Sequence, residues 1–274
     1  MKILIAAVLI SAPLAAVFAG HPPYPTKQTS SPPIIIILDP GHGGTDRGGP
    51  HENGFPLAEA GGKRAYAAED AYTYDVAKRI ERLAVKNGLK TAITVTAKNG
   101  DAISEIREPD LIPAHTRMSY NLPRGNITPF RNKKGLRLRL RAARYIQKEN
   151  PGATAVWISL HFDYASSPKI SGTKIYTAKG LRDHPFVKAL EEEFRKNSLS
   201  YADKGAAKNP VNDRNGLIVL KEGWIVPRVL VELGNFRNPR DRKLMLSPRG
   251  RERYARIVFS AIEDYENSLR GKHI

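Results

Sequence analysis

The 274-residue chain contains no cysteine. That absence excludes disulfides, thiolate metal sites, a cysteine nucleophile and lipid attachment at a processed cysteine. Stability must therefore come from a core alone. Two nucleotide signatures are missing as well. The glycine-rich stretch that follows Pro40 lacks the lysine and Ser/Thr of a P-loop, and the G-x-G-x-x-G spacing does not occur. No internal repeat is visible. The apolar run from Ile3 to Val17 is short for a bilayer span and is interrupted by Pro13. Acidic residues are scarce, with 27 Asp+Glu against 44 Lys+Arg and a formal charge of +17. Such a surface favours anionic partners. Nucleic acid is the usual reading of that charge, but no nucleic-acid motif accompanies it.

The N-terminal residues explain the charge differently. Residues 1–19 read as a secretory signal peptide, with Lys2 as the positive start and Val17-Phe18-Ala19 as the small-x-small cleavage pattern. An uncleaved anchor is the alternative. Export, to a periplasm or beyond, makes nucleic acid a poor partner. It points instead to the bacterial wall, with its peptide carboxylates, and to anionic envelope polymers. Residues 20–33 form a Pro/Ser/Thr-rich spacer. Residues 34–270 then have the length of one α/β domain with a sizeable core, read here as a monomer without a membrane span.

Strand and helix patterns alternate along that domain. Ile34 to Leu38 reads as a strand buried on both faces, ended by Asp39-Pro40-Gly41. A helix is expected from Glu69, with Tyr72, Val76, Ile80 and Leu83 at helical spacing and Asn87-Gly88 as its stop. Strands are expected over 89–96, 155–160, 173–176, 217–220 and 228–231. Helices are expected over 136–149 and 184–197, from Pro239, and over 247–269. Residues of about 97–135 and 198–214 break the pattern. The first of these, rich in proline and in arginines such as Arg107, Arg117, Arg124 and Arg131, reads as an insertion: a lid, a wall-binding surface, an inhibitory segment or a solvated basic loop. Alternation of this kind indicates an α/β sheet.

Four residues stand where such sheets place their sites. His42 and His161 each follow a short apolar strand directly. Neutral imidazoles bind zinc, and a catalytic zinc takes three protein ligands and leaves one position open. Without cysteine, the third ligand must be a carboxylate or a histidine. Glu69 opens a helix whose N-terminal partial charge favours an ionised carboxylate. Glu52 and Glu59 are rivals in the preceding loop. Glu232 follows the apolar run Val229-Leu230-Val231, where a charge is costly unless paired or used. It reads as a general base, or as a partner for Arg228 or Arg237. Asp39 is read as orienting a ligand or as forming the turn. Histidines 21, 51, 115, 184 and 273 look incidental, with a reserve for His51 because it is close to His42 in sequence.

Together these residues resemble the zinc-dependent N-acetylmuramoyl-L-alanine amidases of the Leu-Asp-Pro-Gly-His-Gly-Gly type. The resemblance rests on residues 38–44, on Glu69 with its helix, on Ser159-Leu160-His161-Phe162-Asp163, on Ser171-Gly172-Thr173 and on 229–239. It implies a mixed, mostly parallel six-stranded sheet with helices on both faces. It implies one Zn2+ held by His42, Glu69 and His161, Glu232 as the catalytic residue, and hydrolysis of the amide between N-acetylmuramic acid and L-alanine of peptidoglycan. A protein activator is left open. The chain departs from the family in the Gly/Ala-rich loop before Glu69, in the missing Thr-Arg pair after the second strand and in the long insertion. Two other readings stand beside this one. One is a different zinc hydrolase acting on wall peptides. The other is a non-catalytic basic protein that binds or regulates at the wall.

Overall fold

A computed structural model describes residues 33–43, 46, 48–50, 54–57, 66–97, 118–120, 122, 132–203, 206–214 and 216–271. The signal, all but the last residue of the spacer, and most of the insertion lie outside the described residues. So do Glu52, Glu59 and His51.

The main elements are β1 (Ile34–Pro40), α1 (Glu69–Lys86), β2 (Lys90–Ile93), α2 (Lys133–Lys148), β3 (Thr154–Asp163), β4 (Lys174–Thr177), α3 (Pro185–Lys196), β5 (Val211–Asp213), α4 (Ile218–Lys221), β6 (Arg228–Asn235), α5 (Pro239–Leu246) and α6 (Pro248–Arg270). The six strands form one sheet in the order β5-β4-β6-β3-β1-β2. Every neighbouring pair is parallel except β4 with β6. This is the expected mixed, mostly parallel α/β sheet.

Strand alternation divides the core in two. Ile34, Ile36, Leu38, Val156, Ile158 and Leu160 pack toward α1, α3 and α6. Ile35, Ile37, Trp157 and Leu230 pack toward α2 and α4. Every residue of β1 is buried, which is why its sequence is apolar at both parities. On the α1 side a buried ion pair joins two helices of the layer: Arg251 Nε of α6 lies 2.6 Å from Asp75 Oδ2 of α1, and both side chains are almost wholly inaccessible.

Several local expectations change. The third strand does not stop at His161 but runs to Asp163. The expected strand at 217–220 is the one-turn helix α4, whose Val219 and Leu220 are buried on the α2 side of the sheet. Two adjacent apolar residues suit either element, and packing decides. Residues 89–96 are interrupted at Thr94, whose amide still bonds Leu38 O at 2.9 Å while its hydroxyl turns to Asp39. Val95–Ala97 then leaves the sheet and pairs with Met118–Tyr120. The irregular segment 198–214 contains β5, an edge strand of only three residues. His184 caps α3, its Nδ1 accepting from the amide of Phe186 at 3.2 Å.

Candidate metal centre

Strands β1, β3 and β6 run parallel and side by side, so their carboxyl ends share one edge of the sheet. Register does the rest. Pro40 is level with Leu160, and Glu232 is level with His161. The amide of Gly41 bonds Leu160 O at 2.7 Å, which carries β1 one step beyond its last residue. His42 and His161 therefore arrive together, their ring centroids 5.1 Å apart and nearly perpendicular. A Cβ on Gly41 would lie 2.5 Å from His161 Nδ1, so only glycine permits this approach.

Glu69 comes from the other layer. As the first residue of α1 it is 3% exposed, yet its carboxylate is saturated with partners. Oε1 lies 3.2 Å from His161 Nδ1 and accepts from the amide of Phe162 at 3.1 Å. Oε2 lies 3.3 Å from His42 Nε2 and accepts from the amide of Gly49 at 3.0 Å. Thr73 Oγ1, one turn along α1, donates to Gly41 O at 3.1 Å and ties the helix to the loop. One donor atom from each of His42, Glu69 and His161 falls within 4.8 Å of the others.

Electrostatics follow from this packing. Burial opposes a charged His42, but the carboxylates of Glu69 and Asp46 outweigh it and raise its pKa to about 10. Burial likewise opposes a charged Glu69, but His42 and His161 pull its pKa well below the usual range. The two buried groups thus favour opposite charges, Glu69 anionic and His42 cationic.

Asp46 was not anticipated. Its Oδ1 lies 3.0 Å from His42 Nδ1 and accepts from the amide of Gly48 at 3.1 Å. It fixes the ring by the nitrogen that faces away from Glu69, the usual means of orienting a histidine ligand. The only sequence signal was a carboxylate four residues after His42 in a glycine-rich loop. Asp39 acts less directly than either reading of it assumed. Its Oδ1 accepts from Thr94 Oγ1 at 2.6 Å and Arg139 Nη1 at 2.7 Å, and its Oδ2 accepts from Ser159 Oγ at 2.7 Å. Arg139, also unanticipated, donates onward to Pro40 O at 2.5 Å and to His42 O. The main chain of His42, which sits at φ +60°, is held through this guanidinium.

Glu232 stands beside the three donors. Arg228 donates to the carbonyls of Leu220 and Ile225, and Arg237 to those of Ala165 and Ser166, so neither arginine is its partner. Its Oε2 is buried and has no hydrogen-bond partner among the described residues. Burial, reinforced by the charges of Glu69 and Asp163, raises its pKa well above the carboxylate range, with His42 and Lys174 pulling the other way. Lys174 is level with Glu232 on β4, and its ammonium lies 2.8 Å from Asp163 Oδ2. The row Lys174, Glu232, His161 thus crosses three adjacent strands. A cavity of about 330 Å3 opens against His42 and His161, walled by Leu136 and Arg139 of α2 and by Leu217 to Val219.

These features define a class: an open α/β sheet with a metal-competent donor set and an unpartnered carboxylate at its carboxyl edge. The family model for N-acetylmuramoyl-L-alanine amidase (Amidase_3) matches residues 36–264. The chain belongs to that family. It is 28% identical over 237 residues to an uncharacterized cell wall amidase of Bacillus anthracis, covering 84% of this chain and 35% of that protein. It is 26% identical over 232 residues to the germination-specific N-acetylmuramoyl-L-alanine amidase of Bacillus subtilis, covering 84% and 79%. The chain thus spans about a third of one relative's length and most of the other's. Among solved structures, the CwlD amidase of Clostridioides difficile, in complex with the GerS lipoprotein, superposes with a TM-score of 0.57 at 21% identity, covering 86% of this chain and 99% of that one. The Ami1 amidase of Mycobacterium smegmatis does so with a TM-score of 0.56 at 20% identity, covering 86% and 97%. Among the described residues no helix is long and apolar enough to cross a membrane.

Proposed function

We propose that this chain hydrolyses the amide between the lactyl group of N-acetylmuramic acid and L-alanine of peptidoglycan, with one Zn2+ at the edge site. The observation that carries the reading is the convergence of His42, Glu69 and His161 donors within 4.8 Å beside the unpartnered carboxylate of Glu232. Two imidazoles and a carboxylate are a known catalytic zinc set, and they leave a position open. The fit is supported further by Asp46 behind His42 and by two main-chain amides behind Glu69.

Zinc, when bound, supplies Lewis acidity toward the scissile carbonyl and toward water. The protein does the rest. His42, Glu69 and His161 would hold the ion, and the Asp39–Arg139 pair holds the main chain of His42. Glu232, beside a cation held in that triad, would be favoured in its ionised form against the burial that disfavours it. Glu232 takes the proton from the attacking water and delivers it to the departing alanine nitrogen. Lys174, kept in place by Asp163, adds a positive charge on the far side of Glu232. No covalent intermediate is needed. The substrate lies in the wall, so the reading requires export. The lipoprotein in complex with CwlD in one structural neighbour supports a protein partner here as well.

Digestion of purified peptidoglycan tests the proposal. Zinc-loaded protein should free intact stem peptides with a new L-alanine amino terminus and leave muramic acid unsubstituted. Chelator-treated protein and Glu232→Ala should not. Equal solubilisation by all three samples sinks the catalytic reading. Fragments cut inside the peptide would make the chain a peptidase instead.

A further inference from the structure

The far end of α1 carries a second feature. Arg79, Arg82 and Lys86 follow one another at helical spacing on α1, and Arg249, Arg253 and Arg256 do so on α6. Arg79, Arg82 and Lys86 with Arg249 and Arg256 border a groove of about 580 Å3, which adjoins a hollow of about 270 Å3 that shares Arg249 and Arg256 and adds Arg253. Five of these cations line the groove and Arg253 lines the hollow; against them stand Glu252 and, beneath Arg79, the buried Asp75 at 2.7 Å. Glu252 is already taken, by Arg79 at 3.1 Å and by Arg256 at 2.8 Å. Arg82, Lys86 and Arg249 are exposed, and no ion pair holds them among the described residues. At 1.5 Å per helical residue, the stretch from Arg79 to Lys86 lies about 15–25 Å along α1 from Glu69. The groove is therefore remote from the metal centre.

We infer that this groove binds a linear phosphodiester polymer and anchors the enzyme on the envelope. Five of the six cations are guanidinium groups, whose planar fork matches two phosphate oxygens at once. A trough between two helices accepts a chain, whereas a flat bilayer would meet only its rims. Along a chain, successive phosphates replace the missing counter-charges of Arg82, Lys86 and Arg249. The choice of a wall phosphopolymer over a nucleic acid rests on the amidase reading. The groove's preference for phosphodiesters does not.

Fluorescence anisotropy of labelled poly(glycerol phosphate) against the full chain tests this. The triple variant Arg82→Glu, Lys86→Glu, Arg249→Glu lowers the formal charge by six from +17. A control triple on other exposed sites, Lys148→Glu, Lys179→Glu, Arg182→Glu, lowers it equally. The groove triple should weaken binding at least tenfold and flatten the salt dependence by about two to three counterions. The control should stay within threefold of the parent. The milder double variant Lys86→Ala, Arg249→Ala should fall between, which guards against misfolding of the triple. Equal loss in both triples reduces the effect to net charge and overturns the proposal. So does tighter binding to phosphatidylglycerol vesicles at equal phosphate. Activity on a soluble muropeptide, measured on the same samples, should not change in either triple. Its absence from the parent would sink the amidase reading and leave the groove result standing.

Discussion

Arg139→Met separates the support of the metal centre from the centre itself. The guanidinium is 4% exposed and donates to Asp39, to Pro40 O and to His42 O. Its removal leaves the Asp39 carboxylate buried with two neutral donors, Thr94 and Ser159. Breaking a buried pair from one side costs about 3–5 kcal/mol, or about 6–20 °C in Tm for a domain of this size. The loop also loses the anchor on the main chain of His42, and loss of such support weakens metal binding by about 10–100-fold. The two effects should part company in the double variant Asp39→Asn, Arg139→Met. Removing the orphaned charge should restore about 1–3 kcal/mol of stability. It cannot restore the bonds to Pro40 and His42, so zinc affinity should stay low. Thermal melts and competition with a chromogenic chelator read the two quantities separately. Zinc affinity equal to the parent in Arg139→Met, or affinity that recovers along with stability, would refute the argument.

Other perturbations have equally direct readouts. Glu232→Gln should lower kcat by about 10²–10⁴-fold, and a zinc titration should give the parent's stoichiometry and nearly its affinity. Gly48 lies at φ +73°, and a Cβ there would sit 2.4 Å from Glu69 Oε2. Gly48→Ala should therefore lose zinc affinity in chelator competition, whereas alanine at Gly152, which faces open space, should not. Arg251→Met leaves Asp75 with Arg79 as its one ionic partner among the described residues. It should lose about 3 kcal/mol, or about 6–12 °C in Tm, with peptidoglycan hydrolysis unchanged at low temperature. Zinc at a hundred times its Kd should stabilise the parent by about 2.7 kcal/mol, a rise of about 5–11 °C, and a Glu69→Ala melt should show none of it.

The sheet was legible because its strands announce themselves. Ile34 to Leu38 is apolar at both parities since helices cover both faces, and the strands bearing His161 and Glu232 read the same way. The two histidines could be paired because both lie at the carboxyl ends of parallel strands, a position that fixes where a side chain emerges. Asp46 and Arg139 could not be found so easily. Asp46 lies in a loop without periodicity. Arg139 is one arginine among several on a basic helix, and only tertiary packing separates it from its exposed neighbour Arg137. The edge strand β5 has too few residues to show a period. The short helix α4 read as a strand because four apolar residues in a row carry no period of their own.

The donor set straddles the sheet. By strand alternation His161 and Glu232 share the parity of Trp157 and Leu230, which face α2 and α4. Glu69 comes from α1, packed on the opposite face. The carboxylate can cross only where the sheet ends, and there it meets His161, whose ring occupies the space a Cβ on Gly41 would need. Sequence therefore constrains the site twice: the strands must hold His161 and Glu232 in register just past the end of β1, and the residue after β1 must lack a Cβ. The Asp39–Arg139 pair adds a third constraint from the α2 face, since it holds the main chain that Gly41 begins. An ion bound at this edge would join both helical layers, so loading and stability should move together in any variant that loosens either layer.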